Sequence, residues 1–142
     1  FPTRRSSDLN DRFPWQIKLA ILRTMGLLIF KAGDEMRKFV AALQPIFLKC
    51  LPDPMDSIRD SAAKNLGHLT RLSPRIDPLI NNLVTLATRT EPPMRNAYLS
   101  AMSEAFVVSG EKISPAVMQK AGTVLNELLS NIGIALVFAL MD

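Results

Sequence analysis

The chain has 142 residues, 48% hydrophobic and 21% charged, which is enough apolar material for a buried core and excludes a wholly disordered segment. Aromatic residues make up only 6%, and no run alternates apolar and polar residues as a half-buried strand would, so helices are expected. A scattered net charge of +4 excludes the basic stripe of a nucleic-acid surface, and a single cysteine, Cys50, excludes an internal disulfide.

Residues 1–9, FPTRRSSDL, match no later pattern and read as an adapter-derived leader outside the fold. Phe13-Pro14 then opens a helix expected over 15–31, apolar around most of its circumference and closed by Gly33. Leu27 and Phe30 lie off its main apolar arc. A preceding helix would cover them, so this helix reads as the second member of a pair. Asp34 is expected to cap a helix over 35–51, with Phe39, Leu43, Phe47 and Leu51 inward and a kink at Pro45.

Pro52-Asp53-Pro54 makes a tight turn into a helix over 56–72, which Asp56 or Ser57 can cap. At 100° per residue, Ile58, Ala62, Ala63, Leu66 and Leu69 share one face, while Asp60, Lys64, His68 and Arg71 lie opposite. Arg59 falls inside the apolar arc, where a guanidinium is costly unless carboxylates and hydrogen bonds meet it. Asp53 and Asp56 are close by. Asp77-Pro78 starts a helix over 78–88, Glu91-Pro92-Pro93 turns into one over 94–108, and Ser114-Pro115 starts one over 116–130. Residues 131–142 lack the turn and the base that the pattern requires there and read as a short apolar tail. Its ten-residue apolar run, 132–141, is about half of a bilayer span.

These elements repeat. Ile17-Lys18, with Met25-Gly26 after it, recurs 41 residues later as Ile58-Arg59 with Leu66-Gly67, and Met94-Arg95 follows 36 residues on. Leu43 and Phe47 recur at the same spacing as Leu79 and Leu83. A period of about 40 residues is that of HEAT and armadillo units, so the fold expected is an all-α solenoid of about three helix pairs over 13–130. Ile17, Ile58 and Met94 should then be equivalent and buried. The aligned bases Lys18, Arg59 and Arg95, with Asp53, are expected to form a structural ladder of pairs along the solenoid rather than a basic row offered to a partner.

Little else could carry chemistry. His68 is the only histidine and lies on the polar arc, Cys50 reads as a small core residue, and one of each cannot make a zinc site. No glycine pattern cradles a phosphate, and the aspartates near Arg59 are explained by capping and pairing. The chain therefore reads as a binding protein without catalytic residues, metal, cofactor, small-molecule substrate or membrane segment.

The stretches IKLAILRTMGLLIFKAGDEMRKFVAALQPIFLKCLPDP and SIRDSAAKNLGHLTRLSPRIDPLINNLV resemble the large HEAT-repeat translational activators of the general amino-acid control response. The likeness is close over residues 13–84 and looser over 91–130. It implies a cytoplasmic scaffold that binds stalled ribosomes and activates the starvation kinase. That kinase phosphorylates the alpha subunit of translation initiation factor 2. The likeness also implies a place near the region that contacts the kinase's RWD domain, and no contact residue transfers. A HEAT adaptor of nuclear transport or phosphatase assembly is the alternative.

Overall fold

Apolar residues recurring every three or four positions wind into six α-helices in the computed structural model, which describes residues 14–141. They are α1 (Trp15–Ala32), α2 (Val40–Cys50), α3 (Asp56–Thr70), α4 (Asp77–Arg89), α5 (Met94–Ser109) and α6 (Pro115–Met141). No strand occurs among the described residues, and the leader 1–9 lies outside them.

The helices pack as the period requires. α1, α3 and α5 stack side by side, α2 lies on α3, α4 lies on α5, and α6 rests on α4. This is an all-α array of helical repeats, with α2–α3 and α4–α5 as complete pairs and α1 and α6 as single flanking members. Leu22 and Ile29 of α1, Phe47 of α2, Ile58 and Leu66 of α3, Ile80 and Leu83 of α4 and Met102 of α5 are almost wholly removed from water. Burial contributes about 2 kcal/mol for each such side chain, so the seams between helices hold the array together. In α5, burial also pushes the Tyr98 phenol above its ordinary value of 10.0.

Five expectations change. The helix expected over 35–51 begins as a 3-10 helix, Gly33–Phe39, and becomes α-helical only at Val40. Gly33 takes φ 58°, which reverses the chain after α1, and Asp34 accepts a bond from Arg37 Nε at 3.1 Å instead of capping. Three residues per turn shift the register, and Phe39, expected inward, is 45% exposed. The apolar tail is a continuation of α6 to Met141, since Asn131 and Gly133 are too weak a break to stop a helix this rich in Ala and Leu. Finally, Ile58 is fully buried, but Met94 is half-buried and Ile17 is 47% exposed. In α3 the equivalent face is covered by α2. Among the described residues no helix takes that place on α1.

Candidate functional site

Polar side chains join neighbouring repeats at both ends of the stacked helices. At the turn before α3, Asp53 is 5% exposed and its carboxylate is divided between two donors. Oδ1 accepts the Met55 amide at 2.9 Å, which fixes the turn, and Oδ2 accepts Lys18 Nζ from α1 at 2.5 Å. Lys18 is itself 6% exposed. The array thus buries an ion pair between one repeat and the next.

Arg59 sits at the same turn. Its Nη1 donates to the carbonyls of Asp53 at 2.6 Å and Pro54 at 3.0 Å, and its Nη2 pairs with Asp56 Oδ1. Arg95 occupies the matching place one repeat later, with Nε donating to the Thr90 carbonyl, five residues back, at 3.1 Å. Lys18, Asp53 and Arg59 therefore converge on one turn, while Arg95 serves the next turn separately. Arg59→Ala should cost about 2 kcal/mol in urea unfolding, mostly through the carbonyl bonds, because Asp56 is largely exposed. Arg59→Lys should rescue less than half, since an ammonium cannot reproduce the planar fork. Stability unchanged in both variants would count against a structural role for this guanidinium.

A second set, at the opposite ends of the same helices, is one that periodicity did not single out. Arg71 Nη2 donates to the Ile29 carbonyl near the end of α1 at 3.2 Å. Lys112, 41 residues after Arg71, donates to the carbonyls of Thr70 at 3.2 Å, Arg71 at 2.8 Å and Ser73 at 3.1 Å, at the end of α3. Each cation thus caps the negative end of the preceding stacked helix, satisfying carbonyls that lack partners within it. The spacing was a readable signal. Arg71, however, lies on the polar arc, where nothing in its own helix points to a partner in the next one. Lys112→Met should lower stability by about 1 kcal/mol, an effect that raised salt reduces; a salt-independent loss would assign it to packing instead.

Further bonds cross the same seams: Asn65 Nδ2 donates to the Leu22 carbonyl at 2.7 Å, Thr70 Oγ1 to Ser109 Oγ at 3.0 Å, and the Ser114 amide to Asp77 Oδ1 at 3.0 Å. Asp77, expected as a helix cap, is thus a link between repeats. Two glycines permit the close approach. A Cβ on Gly26 would stand 2.5 Å from Asn65 Oδ1, and one on Gly67 would stand 2.4 Å from Glu104 Cβ.

On the outer side of α1 and α3 an open groove of about 690 Å³ is lined by Leu19, Arg23, Leu27 and Phe30 from α1 and by Asp60, Lys64 and His68 from α3. His68 is half-buried there. Cys50 is buried, and among the described residues no three His, Cys, Asp or Glu side chains lie close enough to hold a metal ion. No described helix is long and apolar enough to cross a membrane.

No protein-family model and no solved structure matches the chain. Similarity to curated proteins is extensive. The protein ILITYHIA of Arabidopsis thaliana is 43% identical over 121 residues, 85% of this chain and 4% of its own length. The eIF-2-alpha kinase activator GCN1 of Dictyostelium discoideum is 39% identical over 113 residues, covering 80% of the chain and 4% of the relative. The stalled ribosome sensor GCN1 of Homo sapiens is 34% identical over 126 residues, 88% of the chain and 5% of the relative. The chain thus spans about a twentieth of the length of the relatives it matches. Over these residues, the chain is homologous to a segment of ILITYHIA and GCN1.

Proposed function

We propose that the chain is part of a ribosome-associated scaffold that activates the protein kinase acting on translation initiation factor 2 alpha under amino-acid starvation. The observation that carries this is similarity over 80% or more of the chain to relatives named as an activator of that kinase and as a sensor of stalled ribosomes. The architecture supports it. Stacked helix pairs bury their apolar seams against each other and leave long outer faces for protein partners, and among the described residues no convergent cluster of titratable groups sits in an enclosed pocket. The role is binding, in the cytoplasm, with the ribosome and the RWD-containing kinase as partners.

Within that scaffold, Lys18, Asp53, Arg59 and Arg95 act as a structural ladder that sets the register of one repeat on the next. The contacts of Lys18 with Asp53 and of Arg59 with the turn carbonyls support this role. No relative among those compared bears a name pointing to nuclear transport or phosphatase assembly.

The test is reconstitution. Purified chain is sedimented with purified ribosomes through sucrose, and separately mixed with the kinase and its substrate factor. Co-sedimentation, or retention of the kinase, is the expected result. A chain that stays folded by circular dichroism and does neither would overturn the reading.

A further inference from the structure

The groove between α1 and α3 contains an apolar pair that repeat packing does not explain. Shifting α1 onto α3 by 41 residues places Ile17, Ile21, Met25 and Leu28 on Ile58, Ala62, Leu66 and Leu69, all buried in α3, so those apolar residues belong to the repeat seam. The same shift places Leu27 on His68 and Phe30 on Arg71. In the α3 copy these slots hold polar side chains: His68, which is half-buried, and Arg71, whose Nη2 reaches the Ile29 carbonyl of α1. Leu27 and Phe30 are nevertheless 62% and 59% exposed, side by side along the groove.

The charges around the pair have one predominant sign. Arg23 and Lys64 line the groove from opposite helices, Lys31 Nζ lies 5.9 Å from the Phe30 ring centre, and Asp60 is the one carboxylate among the lining residues. Among the described residues neither Arg23 nor Lys64 takes part in an ion pair. The His68 imidazole and the hydroxyls of Ser57 and Ser61 add hydrogen-bonding groups along the α3 side. Apolar anchors flanked by unpaired cations fit a peptide that alternates aliphatic or aromatic residues with carboxylates. A nucleic-acid strand fits less well, because Asp60 would face its phosphates and Leu27 offers no stacking plane.

From this placement we infer that the α1–α3 groove is a docking site for an acidic, hydrophobically anchored segment of a protein partner. Leu27 and Phe30 receive the anchors, and Arg23 and Lys64 receive the carboxylates. The inference deepens the scaffold reading and rests on it, by assigning one of its partner-binding surfaces.

The test uses the full chain and three fluorescent peptides, measured by anisotropy: one alternating Glu or Asp with Leu and Phe, one with its acids replaced by Gln and Asn, and one with its acids replaced by Lys. The acidic peptide should bind, the neutral one about tenfold more weakly and the basic one not at all, with affinity falling as salt rises. Arg23→Glu with Lys64→Glu should weaken the acidic peptide by about tenfold or more while the melting curve stays unchanged, both residues being exposed. Leu27→Ser with Phe30→Ser should weaken the acidic and neutral peptides alike. Equal binding of all three peptides, no effect of the charge reversal, or preference for a single-stranded oligouridine over the acidic peptide would each overturn the proposal. Ribosome sedimentation of the charge-reversed chain separates the two readings. Retained sedimentation with lost peptide binding supports the groove as a distinct surface; retained sedimentation with peptide binding unaffected sinks the groove and leaves the scaffold standing.

Discussion

Replacing Asp53 by alanine is expected to lower the stability of the chain by about 3 to 5 kcal/mol, a large part of the ~5–15 kcal/mol that holds a domain of this size. Two losses combine. The Met55 amide loses the acceptor that shapes the turn into α3, and the ammonium of Lys18, buried at the α1–α3 seam, loses its carboxylate. Asp53→Asn should be milder, because an amide oxygen still receives the Met55 amide and only the charge is gone. In Lys18→Met with Asp53→Asn, neither charge is buried, so the pair should be less damaging than the sum of its single variants. Urea unfolding of the four proteins gives the coupling directly. A coupling under about 0.5 kcal/mol would show that the two side chains contribute independently and that the repeats are not joined through this contact.

How far such contacts could be read beforehand depends on which interaction decides them. Helix starts announced by proline, as at Pro78 and Pro115, and the register that takes Phe47 to Leu83, both buried, follow from local rules and a period, so they were legible. The buried Arg59 was legible as well, because a guanidinium within an apolar arc demands partners and aspartates stood beside it. Phe39 was not legible. Its burial was inferred from α-helical phase, and a glycine at φ 58° followed by 3-10 geometry changed that phase. Arg71 and Lys112 were missed for another reason. Their partners are main-chain carbonyls at the end of a neighbouring helix, which carry no side-chain signature, so only the 41-residue spacing between the two cations could have drawn attention to them. The groove is a similar case. Leu27 and Phe30 stand off the apolar arc of α1, but only the packing of α1 on α3 shows that they line a groove with Asp60, Lys64 and His68.

Gly67→Ala should destabilise the chain by about 1–3 kcal/mol even though alanine favours a helix over glycine by about 1 kcal/mol, because here the clash outweighs the propensity. The added Cβ would lie 2.4 Å from Glu104 Cβ and 3.0 Å from the Glu104 carbonyl carbon. Neither atom is the far end of a flexible side chain, so relief requires α3 and α5 to separate, and that opens the seam where Thr70 meets Ser109. Gly26→Ala tests the equivalent position one repeat earlier, where the obstacle is the Asn65 amide. That group can rotate, at the cost of its bond to the Leu22 carbonyl, so the loss should be smaller. Gly122, in the middle of α6, has nothing within 4 Å of an added Cβ, and Gly122→Ala should raise stability by about 0.5–1 kcal/mol. Thermal and urea unfolding of the three variants therefore predict an order, with Gly122→Ala above wild type, Gly26→Ala below it and Gly67→Ala lowest. If all three alanines stabilised the chain alike, helix propensity alone would be at work, and close contact between successive stacked helices could not be what holds the repeats in register.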